Sequence, residues 1–97
     1  MKTNGEFIFK TIEEREGGEF VNDRGQKIKY DGKYVIKLDE KSEDGKINDR
    51  RFSIDKKDTE LINQFKSLPT YSDVKIEFDV RIFNSQVRLV PVKLLEL

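Results

Sequence analysis

Six basic side chains and three rings carry the chemistry this chain can offer. Lys33, Lys37, Arg50 and Arg51 stand among apolar residues in the middle of the sequence, and Arg81 and Arg88 flank a turn near its end. Ammonium and guanidinium groups along one side of a sheet can track a row of phosphates. Aromatic faces beside them, here Tyr34, Phe52 and Phe83, can stack on bases at about 1–3 kcal/mol each. Lys27, Lys29 and Tyr30 belong to the same basic stretch. A plainer reading competes: the cations solvate the outside of a small β-structure while Tyr30, Tyr34 and Phe52 fill its core. Strand phase favours the core for two of the rings, since Tyr34 falls in phase with Ile36 and Leu38, and Phe52 with Ile54. Phe83 is the better stacking candidate, because it breaks the apolar phase running from Val74 to Ile82. It fits equally as a cap on a rim.

Other chemistries are poorly provided for. The chain has no cysteine and no histidine, so it lacks the usual thiolate or imidazole nucleophiles, bases and metal ligands. Gly17-Gly18 leads into a strand-like segment rather than a helix, so it is no phosphate-binding loop. Asp39, Glu40, Glu43 and Asp44 do not match the spacing of a calcium loop, and Lys41 and Lys46 sit among them. No metal, no cofactor and no catalysis are expected. Glu13, Glu14, Glu16 and Glu19 read as a solvated loop, or as a contact for a basic partner.

The elements that must position these groups are short. Ninety-seven residues make one domain, 1–97, with a modest core. Charged residues (39%) outnumber hydrophobic ones (35%), which predicts a thin, half-exposed sheet. Basic and acidic groups balance at 19 each, against a strongly basic binder, but residues 20–57 hold eleven basic and eight acidic groups, a net of +3. No apolar run reaches the length of a signal peptide or a membrane span, and a soluble cytoplasmic protein is expected.

Along the chain, Phe7-Ile8-Phe9 with Ile12 predicts a first strand between Gly5 and the run "EEREGG". Phe20-Val21 and Lys27–Tyr30 predict a small hairpin about Asp23-Arg24-Gly25. Asp31-Gly32 predicts a bend or bulge. Strands follow at about Lys33–Glu40 and Lys46–Ile54, turning at Asp44-Gly45. The period then changes: Leu61, Ile62, Phe65 and Leu68 form one helical stripe of about three turns, capped by Asp55 or Asp58 and stopped by Pro69. Val74, Ile76, Phe78, Val80 and Ile82 alternate with charged residues in a long strand. It turns at Asn84-Ser85-Gln86 into a last strand, where Pro91 demands an edge or a bulge. Leu94, Leu95 and Leu97 are expected to close the structure against Phe7 and Phe9, or to dock on a partner.

Setting the small hairpin aside as a loop elaboration (Glu13–Asp31), the order is three strands, a helix, two strands. That is the order of a mainly β, five-stranded OB-fold-like antiparallel barrel with one short helix between strands 3 and 4. An open antiparallel sheet with the helix across one face has the same order. In the barrel, the face of strands 2 and 3 and the loops 1–2 and 4–5 bind oligonucleotides.

"YVIKLDEKSEDGKINDRRFSID", a short helix, and then "VKIEFDVRIFNSQVRLVPVKL" resemble the small OB-fold accessory proteins of Gram-positive conjugative elements and phages. The resemblance spans roughly Tyr30–Leu94 and rests on strand order and general character. It implies a protein that coats or guides single-stranded DNA during replication or transfer of a mobile element, with a helicase or another transfer protein as partner. The expectation is therefore a non-enzymatic binder of single-stranded DNA or RNA. Lys33, Lys37, Arg50, Arg51, Arg81 and Arg88 would meet phosphates, and Tyr34, Phe52 and Phe83 would meet bases. The alternative is an adaptor or inhibitor acting on a host or element-encoded protein.

Overall fold

The computed structural model describes residues 1–95. Its elements are β1 (Lys2–Arg15), β2 (Gly18–Val21), β3 (Lys27–Tyr30), β4 (Lys33–Lys41), β5 (Ile47–Asp55), α1 (Thr59–Lys66), β6 (Asp73–Phe83) and β7 (Gln86–Leu95). Five strands make one antiparallel sheet in the order β5-β4-β1-β6-β7, and β2-β3 forms a separate ribbon.

β1 is longer than its apolar residues suggest, running through Gly5 and into the acidic run. It pairs with β6 over Lys2–Ile8 and with β4 over Ile8–Arg15. A bulge at Lys10 separates the pairs Phe9↔Leu38 and Thr11↔Lys37. An extra residue in one strand reverses the phase that follows it. Phe7, Phe9 and Ile12 thereby all reach the core despite the three-residue step from Phe9 to Ile12.

The acidic run is correspondingly no loose loop. Glu13 and Glu14 lie in β1, where Glu13 accepts from Lys37 Nζ at 2.9 Å and Glu14 pairs with Lys56 at 3.0 Å. Glu19 lies in β2 and pairs with Lys29 at 3.6 Å.

Two tight loops close hairpins at places marked by glycine. In Ser42–Lys46, the Gly45 N–H donates to the Ser42 carbonyl (3.0 Å) and the Ser42 N–H to the Lys46 carbonyl (2.8 Å). Gly45 has φ 83°, a conformation a side chain would strain. The same bonding joins Asn22 to Gly25 and Gln26 in the β2–β3 ribbon. Gly32 serves differently: a Cβ there would lie 2.5 Å from the Lys56 side chain and 3.0 Å from the Arg15 carbonyl. Asp31-Gly32 is thus a close crossing of chains between β3 and β4.

The helix is shorter than expected. Eight residues give about two turns. The Asp58 side chain makes no capping bond, and Asp55 instead accepts from the Lys57 N–H at 2.9 Å. So short a helix is held by packing. Leu61, Ile62 and Phe65 are buried, and the Phe65 ring lies 5.8 Å from Phe9. They join Phe7, Ile36, Leu38, Phe52, Ile54, Val74, Ile76 and Phe78 in one core. Phe78 sits among aromatic neighbours, with ring centroids 5.8 Å from Phe7 and 4.7 Å from Phe52.

The sheet curls until Cα atoms of its edge strands β5 and β7 come within 8 Å. No ladder joins those two strands among the described residues, so the five-stranded sheet is not closed into a barrel and keeps an open seam. Counted in the chain, the helix falls between the fifth and sixth strands rather than the third and fourth, because the ribbon contributes two strands of its own. Pro91 meets both its requirements: it lies on edge strand β7 beside a bulge, where the register slips between Glu77↔Lys93 and Phe78↔Pro91. Leu94 packs half-buried against the core, while Leu97 lies outside the described residues.

Candidate functional site

The open seam forms a cleft of about 730 Å³ between β5 and β7. Its charged lining residues are Lys33 at the start of β4, Arg50 and Arg51 on β5, and Arg88 on β7, with no carboxylate among them. Val87, Leu89 and Val90 supply its apolar wall from β7. Another concavity, of about 370 Å³, has the reverse character: Glu6, Asp39, Glu43 and Asp73 line it with a single cation, Lys41. An anion is drawn to the seam and repelled from the second hollow.

The cleft cations differ in how firmly they are engaged. Arg50 donates to Glu40 Oε1 at 3.2 Å and also lies 5.3 Å from the centroid of Phe52. Arg51 lies 3.6 Å from Asp49. Both pairs are solvent-accessible, and exposed pairs of this kind contribute about 0–1 kcal/mol, so a phosphate can displace them at small cost. Lys33 and Arg88 have no ion-pair partner within 4.0 Å among the described residues. Lys33 stands opposite Asp55 in the register, yet that carboxylate is turned to the Lys57 N–H.

The remaining expected site residues divide. Lys37 is on the outer face of β4, bound to Glu13, and does not line the cleft. Arg81 is tied to Asp79 at 3.0 Å on the β6–β7 hairpin. Phe83 is 59% exposed at the tip of that hairpin, with the Arg88 guanidinium 5.3 Å from its ring centroid.

Two of the three rings are not available for stacking. Phe52 is only 9% exposed and packs edge-on against Phe7. Tyr34 is half-buried against the core. The Lys66 ammonium lies 4.8 Å from its ring centroid and donates to its hydroxyl at 3.3 Å. Strand phase decides both, since each side chain points to the concave side with Ile36, Leu38 and Ile54. Tyr30, which the plainer of the two readings put in the core, is exposed on the ribbon, 6.1 Å from Phe20.

The outer face of β1, β4 and β5 carries interleaved charge. Lys10, lifted by its bulge, bridges Asp39 (3.0 Å) and Asp49 (3.1 Å). These hydrogen bonds raise the Lys10 pKa, and the bond from Lys10 lowers that of Asp49. The bond from Lys37 likewise holds Glu13 below the ordinary carboxylate range. This face is no continuous positive surface.

Val87 and Leu89 are cleft residues that the charge pattern did not single out. Their signal was the alternation in "VRLV", which places them on the concave side and Arg88 at the rim.

No protein-family model, curated protein or solved structure matches the chain. No set of three or more potential metal ligands converges among the described residues, and no helix among them is long and apolar enough to cross a membrane.

Proposed function

We propose that this chain is a non-enzymatic module that binds single-stranded nucleic acid along the seam between β5 and β7. The observation that carries the reading is the all-cationic charge of the cleft, with Lys33 and Arg88 lacking an ion-pair partner among the described residues and Phe83 exposed beside Arg88. Positive charge supplies sequence-independent affinity, and the exposed ring offers a stacking platform.

The sheet order supports an OB-type scaffold. In β5-β4-β1-β6-β7 the third and fifth strands of the main sheet face each other, as in a five-stranded Greek-key barrel left open along one edge. On that scaffold β4 and β5 are the oligonucleotide-binding strands 2 and 3, and the β2–β3 ribbon and the Asn84-Ser85 turn are the two binding loops. A role beside a helicase or transfer protein of a conjugative element or phage follows from the resemblance of Tyr30–Leu94 and is part of this proposal.

A fluorescence-anisotropy titration of a labelled single-stranded oligonucleotide at low salt tests the reading. Saturable binding is expected, and absence of binding would remove it. A second reading, a protein adaptor, is favoured by one specific feature: Phe20, Ile28 and Tyr30 share an exposed face of the ribbon. Capture of a defined partner protein by a chain that binds no oligonucleotide would establish that reading instead.

A further inference from the structure

The β2–β3 ribbon stands apart from the core. β2 and β3 contact chiefly each other, and every residue of β3 is exposed. Opposite residues of an antiparallel pair share a face. The register therefore puts Gly18, Phe20, Ile28 and Tyr30 on one side and Glu19, Val21, Lys27 and Lys29 on the other. A two-stranded ribbon is marginally stable in water on its own. This one is pinned at its turn, where Asn22 Oδ1 accepts from the N–H groups of Arg24 (3.0 Å) and Gln26 (2.9 Å). Phe20 and Tyr30 are nevertheless half exposed.

Gly18 fixes how Tyr30 is presented. A Cβ on Gly18 would lie 2.7 Å from Tyr30 Oη and 3.1 Å from its Cζ, so the ring lies across the bare backbone of the facing strand. One side of the ring is thereby seated on the ribbon, and the other is left to water. The Phe20 ring follows at 6.1 Å, inclined by 44°. Two rings at that spacing and tilt offer separate seats rather than one flat wall.

The size and position of this face limit its occupant. Half of two rings, with part of Ile28, amounts to roughly 200–300 Å² of apolar surface. A stable interface with a second copy or another protein needs about 800 Å² from each partner. A nucleic-acid base needs only a ring face. Arg24 and Lys27 have no ion-pair partner within 4.0 Å among the described residues. The exposed Glu19–Lys29 pair, at 3.6 Å, can yield to a phosphate at small cost. Asp23 is the other carboxylate on the ribbon. Tyr30 is three residues from Lys33, which lines the cleft, so their Cα atoms are at most about 11 Å apart. A strand that leaves the seam past Lys33 comes within reach of Tyr30 and then of Phe20.

Resting on the reading of the cleft as a single-strand site, we infer that Tyr30 and Phe20 form a second stacking station, on which bases of the strand leaving the cleft are laid. Gly18 is the positioning residue that lets the Tyr30 ring lie flat.

Labelled single strands of about 5 and about 12 nucleotides, both within the site sizes of such folds, separate the cleft from the cleft plus ribbon. Both are titrated at one low salt concentration against wild type, Phe20→Ala/Tyr30→Ala and Tyr30→Phe, with thermal midpoints checking that each variant keeps its fold. The double variant should bind the longer strand at least about fivefold more weakly than wild type, the low end for one stacked base, and the shorter strand equally well. Tyr30→Phe keeps a ring and should keep the affinity. Tyrosine emission gives a second readout: the longer strand should quench it in wild type and quench it much less in Tyr30→Phe. A folded double variant that binds both strands like wild type overturns the inference and leaves the cleft reading intact. So does tyrosine emission indifferent to the longer strand. Equal losses on both lengths overturn it as well. A protein partner captured by wild type and lost in the double variant, with oligonucleotide binding unchanged, would give this face to the adaptor reading instead. Failure of wild type to bind either length removes both the station and the cleft reading.

Discussion

The Arg88 guanidinium sits 5.3 Å from the centroid of the Phe83 ring, on a hairpin where neither side chain is enclosed by the core. An arginine at such a ring contributes about 0.5–1 kcal/mol at an exposed site, too little to explain leaving Phe83 in water. The pair makes better sense as a plane and a charge offered together, ring for base and guanidinium for phosphate.

Phe83 and Phe52 should therefore fail differently when truncated. Phe83→Ala should weaken oligonucleotide binding by about 1–3 kcal/mol, roughly five- to 150-fold, with little change in thermal midpoint. Phe52→Ala should destabilise the fold by about 3–5 kcal/mol, because it opens a cavity beside Phe7 and Phe78. Anisotropy and thermal denaturation on both variants separate the roles. Equal loss of affinity without loss of stability would show that the Phe52 ring is used for stacking after all.

Lys37 and Lys33 provide a matched comparison on one strand. Lys37→Ala should leave affinity within about twofold of wild type, since its ammonium is held by Glu13 and, unlike Lys33 on the same face of β4, it does not line the cleft. Lys33→Ala should weaken binding and flatten its salt dependence. A Lys37 variant as impaired as the Lys33 variant would show that the binding surface runs along β4 beyond the cleft.

The pH dependence of stability should be flat through neutrality and fall at both extremes. Glu13, Asp49 and Asp79 are lowered, chiefly by hydrogen bonds from Lys37, Lys10 and Arg81 respectively. A depressed carboxylate contributes stability that is complete above its ordinary pKa and is lost as pH falls through the folded value. Lys10 and Lys56 are raised, chiefly by hydrogen bonds to Asp39 and to Glu14. Their contribution is complete below the ordinary lysine value and is lost as pH rises through the folded one. Asp49 and Lys56 are exposed and Lys10, Glu13 and Asp79 are partly so, and the effects are modest. With no histidine or cysteine, no side chain has its ordinary pKa between about 5 and 8. Thermal midpoints should stay level over that interval and drop below about pH 4. A steep change near pH 7 would contradict this picture.

Alternation of apolar and charged residues made most of the sheet legible. β4, β5 and β6 fell within two residues of their predicted bounds, because each buries one face and a one-residue slip would invert every side chain. The bulge at Lys10 was visible only as the odd spacing of Phe9 and Ile12. Closure was not legible, since strand order is the same for a curled sheet and a closed barrel. Nor was the pairing of charges: Lys37 meets Glu13 from 24 residues away, a contact set by register. That is why a row of cations in the sequence became, on the outer face, a lattice of ion pairs. At the seam, Arg50 and Arg51 of β5 and Arg88 of β7 come together because those edge strands curl toward one another, and Lys33 joins them from the start of β4. Phe83 was the ring the sequence marked best, through its broken phase, and it is the one left exposed.

The salt dependence of binding tests the cleft most directly. Anisotropy titrations of a labelled single strand over a range of salt concentrations, with wild type and Lys33→Ala/Arg88→Ala, give the slope of log affinity against log salt. Two to four phosphate contacts predict a wild-type slope of about −1.4 to −2.8, falling in magnitude by about 1.4 in the double variant. Binding that ignores salt, or a double variant with the wild-type slope, would contradict a polyanion held between β5 and β7.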